Sequence, residues 1–171
     1  IEYVKLDQAQ VDAICDRHER LWSGRAGGAR ASFAYSILED LNLSNRDLSD
    51  ADFSGAVLRG TNLSGATLNS AIFFAADLRR ASLEGACLRR ADLRGAIMRG
   101  ANLTGANMTE ADLREGAIAQ VDKEKGLAIL THTTQQSDAG KANFSGANLS
   151  RSKMARSEEH TSELQSHHDL V

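Results

Sequence analysis

Proline is absent from this 171-residue chain, and cysteine occurs only as Cys15 and Cys87. No proline therefore interrupts the backbone, and two thiols in separate elements do not build a disulfide framework. Tryptophan occurs once and tyrosine twice, and no apolar run is long enough to span a bilayer. Chemical motifs are missing too. There is no glycine-rich phosphate loop, no paired-cysteine metal motif and no Ser-His-Asp set. Cys15 and His18 share one helical face, but two ligands are too few for a metal site. No catalytic, cofactor-binding or metal-binding residue is named, and the expectation is a non-enzyme.

What the chain does have is a period. From Ala51 to Glu115 it reads in fives: ADFSG, AVLRG, TNLSG, ATLNS, AIFFA, ADLRR, ASLEG, ACLRR, ADLRG, AIMRG, ANLTG, ANMTE, ADLRE. A weaker form reaches back to Ala31 and forward to Gln120, and three further units start at Ala142. Each unit sets a small residue two places before a large apolar one. Neither a 3.6-residue helix nor a two-residue strand alternation keeps both positions inside over such a run. A coil that turns a corner every five residues does. Glycines fall mostly at unit ends, where corners need permissive dihedrals.

This pattern resembles the pentapeptide-repeat family, whose motif is a small residue, Asp or Asn, Leu or Phe, and two variable residues. The resemblance implies an all-β fold, a right-handed four-sided β-helix with four units per coil. Coils would stack about 4.8 Å apart. Residues 20 apart then form interior columns: Phe33, Phe53, Phe73, Leu93 and Leu113 in one, and Leu38, Leu58, Leu78, Met98 and Ile118 in the next. Leu63, Leu83 and Leu103 make a third column, and Leu68, Leu88 and Met108 a fourth.

Five segments are expected: a capping helix and linker (1–30), the solenoid (31–120), a hairpin insertion (121–141), final repeats of the same solenoid (142–155) and a tail (156–171). In the first, Val11, Ile14, Cys15, His18, Leu21 and Trp22 fall on one helical face. Asp7 and Gln10 have the form of a capping box. In the insertion, Ala117–Val121 and Leu127–Thr133 read as two strands around the charged turn Asp122-Lys123-Glu124-Lys125-Gly126, with His132 an exposed strand residue. The register then places Phe144 above Leu103 and Leu149 above Met108. The insertion is either a recognition element or a tolerated excursion.

The tail, RSEEHTSELQSHHDLV, resembles the in-frame translation of a short-read sequencing adapter, and it is set aside from fold reasoning. It holds three of the five histidines, at 160, 167 and 168, and its exclusion removes a tempting metal cluster. It also carries Arg156 against Glu158, Glu159, Glu163 and Asp169, so that the rest of the chain is neutral overall. With Ile1 at its start, the sequence reads as a fragment of bacterial environmental DNA, cytoplasmic by default. Loss of a native cap would leave the last coil open to homodimer formation.

Arg59, Arg79 and Arg99 lie 20 apart and form a ladder on one face, with Arg80, Arg89, Arg90, Arg94 and Arg114 on that or adjoining faces. Like charges about 5 Å apart repel, and an anionic partner would relieve them. Alternatively Asp77, Glu84, Asp92 and Asp112 interleave and neutralise the field. Few aromatics accompany the arginines, which argues against nucleic acid. Phe74 should point outward and is the apolar contact candidate. The partner-binding set is therefore Arg59, Arg79, Arg80, Arg89, Arg90, Arg99 and Phe74. Three functions fit: a non-catalytic binding or scaffold module for a protein partner; a topoisomerase-protecting mimic of DNA, known in the family, which the neutral body disfavours; or a non-catalytic part of a larger, truncated protein.

Overall fold

The computed structural model describes residues 1–114 and 142–153, together with the backbone of 118–122 and 126–130. Regular elements are few: β1 (Val4–Lys5), α1 (Gln8–Trp22), β2 (Ser36–Ile37), β3 (Ile118–Asp122) and β4 (Gly126–Leu130). Most of the sheet is instead a set of single-residue parallel bridges, because a strand that turns every five residues has room for little more. The residue before each central apolar one makes the bridge. Four ladders result, one per wall. The first runs Ser32, Asp52, Ile72, Asp92, Asp112, Lys153; the second Ile37, Val57, Asp77, Ile97. The third runs Asn42, Asn62, Ser82, Asn102, Asn143; the fourth Asp47, Thr67, Cys87, Asn107, Asn148.

The backbone amides of unit 61–65 show how this is sustained. Leu63 N–H and Gly65 N–H donate upward to Ser82 C=O (2.7 Å) and Glu84 C=O (2.8 Å), and Asn62 N–H donates downward to Leu41 C=O (2.9 Å). Thr61 N–H closes the corner on Leu58 C=O at 3.1 Å. The fifth, Ser64 N–H, points into the turn and donates to the Asn62 side chain at 3.0 Å. All five donors are satisfied, as backbone away from bulk water requires. The recurrent Asp or Asn is thus an Asx turn built into the repeat. From residue 35 to 110 the last residue of every unit has φ between +55° and +68°, the third position of a type II turn.

Inside, the small residue and the central residue of each unit are fully buried from Ala51 to Ala111. Phe33, Phe53 and Phe73 stack with centroids 5.0 and 4.8 Å apart and interplanar angles of 17° and 4°. Past Leu113 the first wall gives way to β3, which pairs antiparallel with β4, Ile118 opposite Leu130 and Asp122 opposite Gly126. The coil resumes in the predicted register: Leu103 N–H donates to Asn143 C=O and Met108 N–H to Asn148 C=O, both at 2.7 Å. The expected solenoid boundary at 120 falls inside β3, and the side chain of Ile118 lies outside the described residues. So do Met154, His132 and the tail.

At the start, α1 opens on the Asp7/Gln10 capping box (2.8 and 2.9 Å). It ends in a Schellman turn, Arg25 N–H to Arg20 C=O (3.0 Å) and Gly24 N–H to Leu21 C=O (3.4 Å), with Gly24 at φ +70°. Val11, Cys15 and His18 are buried against the first coil. Leu21 (44% exposed) and Trp22 (56%) are not, contrary to the inward face the spacing predicts. Their turn lies past the His18–Ala31 contact that ties α1 to the coil, and the loop folds back so closely that a Cβ on Gly28 would overlap the Leu21 backbone. The loop thus occupies the space beneath the last turn.

Candidate functional site

The predicted basic residues do not share one surface. Arg59, Arg79 and Arg99 follow the central residues of the second wall, Arg94 and Arg114 those of the first, and Arg89 one of the fourth. Arg80 and Arg90 occupy corners, each with φ +58°. The ladder on the second wall is built around a carboxylate. Asp77 is nearly buried and accepts from Arg59 Nε (2.6 Å), Arg79 Nε (2.8 Å) and Arg79 Nη2 (2.6 Å). Burial alone would raise its pKa, but the hydrogen bonds from Arg79 and Arg59 outweigh it and hold the carboxyl below its ordinary value. Glu39 lies 3.7 Å from Arg59 on the other side.

The first wall repeats the device. Arg94 and Arg114 each chelate the aspartate two residues back, Asp92 (2.8 and 2.7 Å) and Asp112 (3.0 and 2.8 Å). Desolvation pulls the Asp112 pKa upward, yet Arg114 more than compensates and the net shift is down. Arg90 donates to Glu110 at 2.9 Å, and Arg151 approaches the same carboxylate at 3.6 Å. Arg90, chiefly through its hydrogen bond, holds Glu110 below the usual range. Along the first wall lies an open groove of about 510 Å³ lined by Arg90, Asp92, Arg94, Glu110, Asp112, Arg151 and Lys153.

Phe74 is half-buried on the first wall, with the Arg94 guanidinium 5.3 Å from its ring centroid. That is a cation–π contact, and Asp92 fixes the cation from the other side. Phe74 therefore meets solvent through one edge. Among the described residues no group of three His, Cys, Asp or Glu side chains is placed to hold a metal. Neither is any described helix long and apolar enough to cross a membrane.

Two thiols remain. Cys15 is buried under α1, and that burial pushes its pKa up to about 11 despite the nearby Arg46. The thiol is therefore protonated and a poor nucleophile. Cys87 lies on the fourth wall with Sγ 2.9 Å from Asn69 Oδ1. The sequence missed a different concentration of charge. Arg17, Arg20, Arg25 and Arg30, all exposed, lie in the last turns of α1 and the loop after it, the same stretch that carries the exposed Leu21 and Trp22. The nearby acids Asp16 and Glu19 are engaged instead by Arg46 (2.5 and 3.1 Å). The signal was the arginine density of residues 17–30, hidden because Leu21 and Trp22 extend the apolar stripe.

This geometry is found in known proteins. Residues 29–73 and 76–114 match the family described as Pentapeptide repeats, in eight copies. A pentapeptide repeat protein from Nostoc Pcc 7120 is 28% identical, with 86% of this chain and 98% of that one covered and a TM-score of 0.57. A second, from the Arabidopsis thaliana thylakoid lumen, is 27% identical over 75% of this chain and 73% of its own, with a TM-score of 0.49. No curated protein sequence matches.

Proposed function

The chain belongs to the pentapeptide-repeat family, whose fold is a right-handed quadrilateral β-helix, and we propose that it is a non-catalytic binding module presenting its walls to a protein partner. Such repeat proteins are generally structural or binding proteins rather than enzymes. One observation carries the reading. Many outward side chains are held in place before any partner arrives, as in the cluster of Arg59, Arg79 and Asp77. On the first and fourth walls Ser54 and Thr109 hydroxyls donate to Asp52 and Asn107 at 2.6 Å. A surface whose side chains are already ordered loses little rotamer entropy on association. The terminal helix acts as the cap of the first coil, which every solenoid needs.

The exposed Arg80 and Arg89 at the wall margins and the free edge of Phe74 are the contact residues favoured within this reading. Mimicry of a DNA duplex needs a negative rod. Here Asp77, Asp92 and Asp112 are each matched by arginine, so that alternative gains no support. The test is photo-crosslinking in a bacterial extract from unnatural residues at Ser64, Arg80, Arg89 and Thr104. A saturable protein adduct from one wall, competed by unlabelled chain, is the expected result. Adducts that fail to saturate at every position would overturn the proposal.

A further inference from the structure

Within each wall the coil presents three backbone groups to the coil beneath: N–H and C=O of the residue before the central one, and C=O of the residue after it. In the first coil there is no coil beneath, and the N-terminal segment supplies substitutes unevenly. On the second wall β1 pairs with β2, and Leu6 N–H donates to Ile37 C=O at 3.2 Å. On the third the Gln8 carboxamide behaves as a strand would, accepting from Asn42 N–H and donating to Asn42 C=O, both at 2.8 Å. On the fourth His18 Nε2 donates to Ser49 C=O (2.8 Å) and Arg30 Nε to the corner carbonyl of Asp50 (2.5 Å), while Asp47 N–H and C=O have no partner among the described residues. On the first wall Ser32 N–H, Ser32 C=O and Ala34 C=O have no partner among the described residues. Ser32 is exposed.

The two ends of this bare edge are marked by aromatic rings. At Ala31, whose N–H donates to His18 Nδ1 (2.9 Å), Trp22 stands edge-on to the His18 ring, 6.3 Å between centroids. At Tyr35, Tyr3 makes a T-shaped contact at 6.1 Å and is itself half-exposed. Beside Trp22 the loop is drawn under the helix by Ala29 N–H to Arg17 C=O (3.0 Å); Arg17 is exposed, and Arg20 and Arg25 line a shallow cavity at the helix end with Asp16, Glu19 and Ser23. None of the three arginines has a carboxylate within ion-pairing distance among the described residues.

We propose that this edge of the first coil, residues 31–35, takes an extended acidic segment of a partner protein as an added β-strand. The proposal rests on the binding-module reading and names its surface. Main-chain hydrogen bonds would supply register, the rings would cover apolar side chains of the guest, and the arginines would select its acids. An anionic lipid surface would match the charge but leaves the three backbone groups unanswered, which favours a peptide.

Trp22 is the single tryptophan of the chain, so its emission reports directly on the site. The probe is the acetylated, amidated heptapeptide DVEVTVE, titrated into the full chain at low salt. A saturable change in emission is expected, weakened at least 10-fold in Arg20→Glu/Arg25→Glu, whose side chains make no bond to the coil. A version of the peptide N-methylated at alternate amides should bind at least 10-fold more weakly, because it cannot join a ladder. Equal binding by that version, equal binding by the lysine analogue KVKVTVK, or tighter saturation by phosphatidylserine vesicles would each overturn the inference. So would a peptide-independent emission change that tracks self-association by sedimentation. If wall crosslinks persist while the peptide fails, only the edge assignment falls; if both fail, the module reading falls with it.

Discussion

Ten corners among the described residues place a residue other than glycine at positive φ, Tyr35, Ala75, Arg80 and Arg90 among them. For an L-residue this conformation costs about 1–2 kcal/mol. Asp40, Asn45 and Asp50 are of the residue types that adopt it most readily. Ala75, at φ +55°, is not. Ala75→Gly should stabilise the protein, by about 0.5 kcal/mol once the greater freedom of glycine in the unfolded chain is subtracted; thermal unfolding would show a small rise in Tm. Gly55→Ala should do the reverse, since its new Cβ meets the Tyr35 ring from the coil below. Charge gives a second handle at this scale. The Asp77 carboxyl is held below its ordinary pKa of 3.8 in the folded chain, so its stabilisation is complete above that unfolded value and drains away as pH falls through the folded one. Urea unfolding between pH 7 and 2 should show a shallower acid decline for Asp77→Asn than for the parent chain.

Elements depend on single side chains where repeat meets cap. His18 is fully buried and spans two backbone groups of the first coil, Ala31 N–H and Ser49 C=O. Because Ala31 can only donate, His18 Nδ1 is the acceptor and Nε2 carries the hydrogen toward Ser49 C=O, so the Trp22 indole N–H, 3.2 Å from the same Nε2, finds no acceptor there. His18→Phe keeps the ring volume and orphans both backbone groups, so it should cost about 1–3 kcal/mol, measured by denaturant unfolding. His18→Leu should behave alike, and a negligible loss in both would show that α1 docks through apolar contact alone. The helix itself was legible in the sequence: Asp7, Gln10 and the spacing of Val11, Cys15 and His18 give its start, length and inner face. Its last turn was not. Periodicity continues the stripe to Leu21 and Trp22, whereas burial there depends on where the loop through Gly28 returns, a tertiary fact that no local pattern encodes.

For the whole molecule, legibility followed the repeat. A period of five with 20-residue columns determined the walls, the ring stack of Phe33, Phe53 and Phe73, and the resumption at Phe144, because each depends only on counting. Charge was less legible. Arg59 and Arg79 read either as a repelling ladder or as one that Asp77 neutralises, and the structure has the second: Asp77 stands two residues before one and eighteen after the other. Chelation of that kind depends on rotamers as well as register. Columns also predict the response to truncation. Leu78→Ala removes one rung from a fully buried column and should cost about 2–5 kcal/mol, read as a drop in the urea midpoint at unchanged slope. The donor pattern of unit 61–65 has a further consequence. Central residues donate only forward along the axis and the residues before them only backward, so the two ends of the coil are unlike and mutually complementary. A coil edge of one molecule fits the opposite edge of another, and such a head-to-tail union leaves both outer ends ready for more. The short N-terminal segment is therefore a chain stopper as much as a lid, because it occupies the backward-facing edge that a second coil would otherwise pair with.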